Sequence, residues 1–334
     1  MLKNILTKSA TNTDSDKRPN KVSARSRSIY LIIAVIGTAL GLSIITHMIK
    51  FELALDFPVN ISRALEWAID SSIEWAIIEF GWFFDVISDN LKWVLGKLRD
   101  FLIWVPWPIM MGIIFMIAWR LSSKRVAFMS LIGMIFISSV SLWEATMVTV
   151  AIMLVAVTIA ISLGIPLGVL AARNNLSNTI IRPILDTMQT MPSFVYLVPG
   201  IMLFGLGNVA AILATVLYAI PPCIRLTNLG IRQVDPDVVE AGRSFGSSNM
   251  QILFKIQMPM AIPSIMAGIN QTVMMALAMC TIAAMVGAGG LGIEVLRAMG
   301  QLREGESVIA GVAIVIMAIT IDRVLQGYIL NRGN

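Results

Sequence analysis

Few residues in this chain have the type and spacing to do chemistry, and most of those fail on context. Gly287-Ala288-Gly289-Gly290-Leu291-Gly292 fits G-x-G-x-x-G, which lets a backbone approach a pyrophosphate, but it follows an apolar run and lacks a strand–helix–strand setting. It is read instead as a tight loop using the freedom of glycine at positive φ. No Gly-x4-Gly-Lys-Ser/Thr occurs, and Lys97 follows Gly96 without the upstream glycine, so ATP is not expected to bind by the phosphate-loop route. His47 has no second His or Cys near it, and Cys223 and Cys280 lie in or beside apolar runs, where a thiol packs as a small hydrophobe. Neither a metal site nor a disulfide is expected, and no residue is assigned a catalytic role.

The remaining candidate is mechanical. In Asp235-Pro236-Asp237-Val238-Val239-Glu240-Ala241-Gly242-Arg243-Ser244-Phe245-Gly246, Asp235 can cap the first amides of a short helix, Pro236 suits its first position, and Gly246 can end it left-handed. Ser248 and Gln251 have capping-box spacing for a second helix, which Met258-Pro259 is expected to close. Two capped helices joined at a glycine make a stiff knob that another protein can grip. The plainer alternative is an ordinary amphipathic loop.

The elements that position this knob are hydrophobic. The chain is 57% apolar and 13% charged, against about a quarter charged in a soluble domain. About eight runs long enough to cross a bilayer lie near residues 30–49, 105–121, 126–142, 145–171, 191–207, 209–224, 261–286 and 307–321. Most of the 25 Lys and Arg fall in segments 1–29, 120–125, 172–190, 225–260 and 322–334, while the intervening segments are acidic. This asymmetry puts both termini and the 225–260 loop in the cytoplasm of a multi-pass protein of the cell (inner) membrane. The net charge of +5 is then a topology signal; cations dispersed among loops do not form a nucleic-acid surface. No nucleic-acid partner is expected.

Residues 1–28 read as a disordered basic tail, and 29–50 as a first span too long and too bulky at its end for a cleaved signal peptide. Residues 51–104 read as an outer amphipathic region. From Ile61 to Leu95 apolar residues recur three or four apart, the acids Glu66, Asp70, Glu74, Asp85 and Asp89 take the other face, and tryptophans gather there. It is either interfacial or a helical hairpin packed on the spans, with Gly81 expected to break it. Two spans follow in 105–142, then five in 143–328, with a short tail at 329–334. The spacings Gly37/Gly41 and Gly164/Gly168 permit close helix approach, although a Gly-rich chain produces such pairs by chance. No span interior is expected to hold Asp, Glu, Lys or Arg, which leaves the chain without a proton relay or ion-coupled path. Asn270, Gln271 and Thr272 form a polar cluster in an apolar run, suited either to lining a path or to bonding a neighbouring helix.

Residues 240–259 resemble the coupling loop of ABC importer permeases, which reads Glu-Ala-Ala, three residues, Gly, nine residues, Ile-x-Leu-Pro. Glu240, Ala241, Gly246, Ile256 and Pro259 keep every spacing, while Gly242 stands for Ala and Met258 for Leu. The stretches Asp186–Pro199 and Ala267–Thr272 are similar to permease subunits of the proline/glycine betaine importers, and the likeness runs from about residue 60 to the end. The resemblance implies an all-α, type I ABC importer transmembrane domain with a five-span core. It also implies ATPase docking through Glu240, Ala241, Gly242 and Gly246, with ATP and Mg bound by that separate subunit. A separate extracytoplasmic substrate-binding protein, a homodimer and surrounding membrane lipid complete the implied partners. For a quaternary ammonium cargo such as glycine betaine, choline or a related solute, Phe194 and Tyr196 are candidate path residues by cation–π attraction, with Asn270 and Gln271; ordinary packing is the alternative for the two aromatics and a bond to a neighbouring helix for the two amides. The rival function is an ion-coupled secondary transporter or channel that needs no ATPase.

Overall fold

The computed structural model of the chain describes residues 21–49 and 61–332, and every regular element among them is helical. The chain divides into two compact units, residues 1–72 and 73–334.

In the first unit, α1 (Lys21–Ile49) carries an apolar stretch, Ile29–Met48, whose side chains are almost all exposed. A helix apolar on every side needs lipid or another protein as its solvent. It starts at Lys21 because a helix propagates easily from a formed apolar segment into Ser, Ala and Arg, so part of the expected tail is helical. Residues 1–20 of that tail, residues 50–60 and the last two residues lie outside the described residues.

One helix, α2, runs Ser62–Trp104 without interruption, so Gly81 does not break the amphipathic region. A single glycine costs a helix only about 1 kcal/mol, less than the burial of Ser88, Leu95 and Leu102 along the same helix can offset. The break comes instead at Pro106, which has no amide hydrogen to donate: α3 (Trp107–Leu121) leaves at 100° to α2. Next comes α4 (Lys124–Ser139), capped by the Ser123 hydroxyl, which accepts from the Val126 amide.

The heart of the second unit is a sandwich of three helices. Helix α8 (Asn208–Arg232) lies between α5 (Trp143–Arg173) and α11 (Met258–Ile282). Small residues set the approach. A Cβ on Gly168 would lie 2.8 Å from the Ile224 carbonyl oxygen, and one on Gly164 2.9 Å from Cys223. On the opposite side of α8, Gly268 faces Pro222 and Leu226, and Gly230 faces Ser264. The pair Gly37/Gly41, at the same spacing in α1, has nothing within 4 Å.

Around the sandwich lie α6 (Asn175–Thr190), a 3-10 turn Ser193–Tyr196 leading into α7 (Leu197–Phe204), α12 (Leu291–Gly300) and α13 (Glu304–Arg332). The Gly287–Gly292 loop is tight as expected, with φ of +81° at Gly287 and +99° at Gly290. It is also tied down, since the Leu291 amide donates to Thr149 Oγ1 of α5 and the Gly289 amide to Asn208 Oδ1 of α8.

Five helical stretches among the described residues are long and apolar enough to cross a membrane: Ile29–Met48, Trp143–Arg173, Asn208–Arg232, Asn249–Val286 and Glu304–Gly327. The bent pair of α2 and α3 makes a sixth if it counts as one span. The other apolar runs became shorter helices: α3 has 15 residues and α4 has 16, about 22–24 Å of rise against a hydrocarbon core of about 30 Å. The run at 191–207 is the short helical pair Ser193–Phe204, joined through Pro192 to α6, so segment 172–190 is a helix rather than an open loop.

Candidate functional site: a capped helical loop seated on the spans

Between α8 and α11 the knob forms as its sequence dictates. Helix α9 (Pro236–Ser244) starts at Pro236, and the Asp235 carboxylate accepts from the Asp237 amide at 2.9 Å. It ends at Gly246 with φ +79°; the Phe245 amide donates to the Ala241 carbonyl and the Ser247 amide to that of Gly242. The Ser248/Gln251 capping box is complete: the Gln251 side chain accepts from the Ser248 amide at 2.8 Å, and the Ser248 hydroxyl from the Gln251 amide at 3.3 Å. It starts the four-residue α10 (Asn249–Ile252).

Pro259 does not close this segment. A π turn over Leu253–Gln257 joins α10 directly to α11, with the Met258 amide reaching five residues back to the Leu253 carbonyl. Pro259 falls in the first turn of α11, where the amide it lacks is tolerated because the ladder has already been shifted.

The knob is fixed to the spans at its base. Gly242 is buried against Ile256 and Ile252. Leu253, with 2% of its surface exposed, packs with Ile231, Ala261 and Ile265 in a cluster that reaches Ile165 and Val169 of α5. Glu240, Ala241 and Gly246 face outward, as does Phe245, which is 90% exposed. Glu240 makes no ion pair among the described residues, so its charge is available to a partner. A Gly242→Ala variant is expected to keep full uptake and stability within about 1 kcal/mol, because the new methyl meets only the movable Ile256 tip while the helix gains propensity. Thermal unfolding alongside transport checks it.

The four candidate path residues separate into two pairs. Phe194 is 57% exposed and Gln271 is exposed. Tyr196 is 5% exposed, donates its hydroxyl to the Met188 carbonyl and packs edge-on against Tyr218, which makes it a packing residue in this conformation. Asn270 is half-buried and donates to Asp322 of α13 at 3.3 Å, the neighbour contact that was one of its two readings.

That contact places an acid near the end of the last long apolar helix. Helix α13 continues to Arg332 rather than stopping near residue 321, so Asp322 lies within the stretch Glu304–Gly327. Two amides hold it, from Asn270 and, at 2.8 Å, from Gln326 one turn away. Asp322→Leu would strand both donors, at a cost of about 1–3 kcal/mol. A lower unfolding temperature for Asp322→Leu than for Asp322→Asn, which keeps an acceptor, is the expected outcome.

A polar seam that the sequence did not reveal joins α8 to α6 and to the last turn of α5. Arg225 pairs with Asp186, Asn228 donates to Asn178 at 2.7 Å, and Arg232 reaches Asn175 and the Ala171 carbonyl. Helix α8 runs a full two turns beyond the apolar run that signalled it, so these residues read as a loop when they are a helix face.

Residues 164–332 match the family described as binding-protein-dependent transport system inner membrane component. The chain belongs to this family. This inner membrane component is 45% identical over 258 residues to the glycine betaine/proline betaine transport system permease protein ProW of Escherichia coli (strain K12), covering 77% of this chain and 73% of that one. To the glycine betaine transport system permease protein OpuAB of Bacillus subtilis (strain 168) it is 45% identical over 270 residues, 80% of this chain and 95% of that one. To the glycine betaine/carnitine transport permease protein GbuB of Listeria monocytogenes it is 41% identical over 268 residues, 78% and 93%. Its fold is similar to that of a chain in inward-facing structures of the MetNI methionine ABC transporter, with a TM-score of 0.51 and 23% identity over 55% of this chain and 92% of that one. A crystal structure of an amino acid ABC transporter aligns with a TM-score of 0.50 and 20% identity, over 60% and 97%. The fold is therefore that of an ABC importer transmembrane subunit, in a multi-pass inner-membrane protein.

Proposed function

We propose that this chain is the permease subunit of an ATP-driven importer for glycine betaine and related quaternary ammonium solutes, working by alternating access. The observation that carries the reading is the knob around Glu240: capped at both ends, seated on α5 and α8, and continuous with α11. Such a piece converts a push from outside into movement of a span. A separate ATPase subunit supplies the push, binding ATP and Mg itself, with Glu240, Ala241, Gly242 and Gly246 forming or shaping the gripped surface. A binding protein delivers the cargo from outside, and both termini face the cytoplasm. The substrate class rests on the glycine betaine permeases to which the chain is 41–45% identical.

A homodimer fits one further feature. Leu176, Ile180 and Ile184 make an apolar stripe along α6, each more than half exposed, which a second copy would cover.

The deciding experiment is direct. The permease is reconstituted in proteoliposomes with its ATPase and binding protein, and glycine betaine uptake is measured. Uptake that requires all three proteins and ATP is expected; uptake by the permease alone, driven by an ion gradient, would overturn the reading.

A further inference from the structure

An apolar cavity of about 520 Å³ lies among α3, α4, α5, α11 and α13, with Ile113, Met147, Val157, Val273 and Val324 in its wall and no polar surface turned into it. It is not sealed, since Ile113, Ile117 and Leu154 on its rim are each about two-fifths exposed. Ile117 also borders a second cleft of about 650 Å³, lined by Trp119 and Arg120. The apolar chamber and a cleft with a basic mouth thus share Ile117 in their walls.

The charge at that mouth is one-sided. Arg120, Lys124 and Arg125 flank the turn between α3 and α4, are all exposed, and make no ion pair among the described residues. The Lys124 ammonium sits 5.6 Å from the centre of the Trp119 ring. No Asp or Glu occurs between Asp100 and Glu144, so the α3–α4 pair carries no acid of its own. Helix α13 closes against the same turn, where Gly327 meets Ser122, and it presents the exposed cation Arg323 one turn earlier. The one acid of α13 nearby in sequence, Asp322, is held by Asn270 and Gln326.

We infer that this composite site holds an anionic phospholipid, one acyl chain in the apolar chamber and its phosphate at Arg120, Lys124 and Arg125. The reasoning is charge and polarity complementarity. A free phosphate has no use for the chamber, and a peptide brings amides that an apolar wall cannot satisfy. A lipid already bathing these helices brings both halves, and basic residues at the cytoplasmic ends of spans favour anionic headgroups. The inference rests on the proposed topology, with the α3–α4 turn at the cytoplasmic face, and not on which solute the chain imports.

Native mass spectrometry of the full-length protein, purified in detergent and exchanged with phosphatidylglycerol or phosphatidylcholine, tests it. Wild type is expected to retain phosphatidylglycerol about tenfold better. The triple variant Arg120→Gln, Lys124→Gln, Arg125→Gln alters only exposed residues and should erase that preference. Ile117→Trp, which plugs the joint between chamber and mouth, should reduce retention of both lipids; size-exclusion and thermal unfolding identify a variant that has merely misfolded. No retained lipid in wild type, equal retention of the two lipids, or undiminished preference in the triple variant would each overturn the site. So would efficient disulfide crosslinking of two copies through Ile117→Cys, since a second copy would then be the occupant.

Discussion

Reversing the charge at Glu240 with Glu240→Lys is expected to cut ATP-driven uptake about tenfold or more while the protein still inserts and purifies normally. The side chain is exposed, makes no ion pair within the described residues, and projects from a helix whose caps lie elsewhere, at Asp235 and Gly246. Nothing in the fold therefore depends on its sign. A gripping partner does, because replacing a charge-assisted contact with a repulsive one acts on association directly. Stimulated ATP hydrolysis in proteoliposomes separates the outcomes: uncoupled, weakened hydrolysis supports docking through this residue. Unchanged uptake would place the grip elsewhere, for instance at the exposed Phe245.

Gly168→Leu is expected to damage folding severely, whereas Gly37→Leu should be close to silent. At Gly168 even a Cβ falls 2.8 Å from the Ile224 carbonyl oxygen and against Thr227, which is backbone and branched side chain rather than a movable tip. The overpacking cost of about 1–3 kcal/mol, and more for a branched side chain, outweighs the roughly 1 kcal/mol that glycine replacement returns in helix propensity. At Gly37 no heavy atom lies within 4 Å. Recovery from size-exclusion and the unfolding temperature of the two variants should diverge sharply; equal recovery would mean that α5 and α8 are free to separate.

These two glycines mark the limit of what could be read beforehand. The knob was legible because its grammar is local: Asp235 acts two residues away, Ser248 and Gln251 three apart, and Gly246 on the turn just before it. Spacing could not distinguish Gly164/Gly168 from Gly37/Gly41, because what differs is the presence of α8. In sequence, the charge of Asp322 marks the end of the last apolar run, and nothing local reveals its partner Asn270, 52 positions away. Gly81 was given the power to stop a helix that burial of Ser88, Leu95 and Leu102 keeps going. Local chemistry writes the caps, and tertiary contact decides whether a breaker breaks.

Because the π turn joins α10 to α11 without a break, a push delivered to α10 acts directly on the span. From Met258 to Ile282 there are 25 residues, roughly 37 Å of rise. A tilt of only ~10° imposed at the knob would therefore displace the far end by ~6 Å. Small angular strokes at one membrane face would thus become wide excursions at the other.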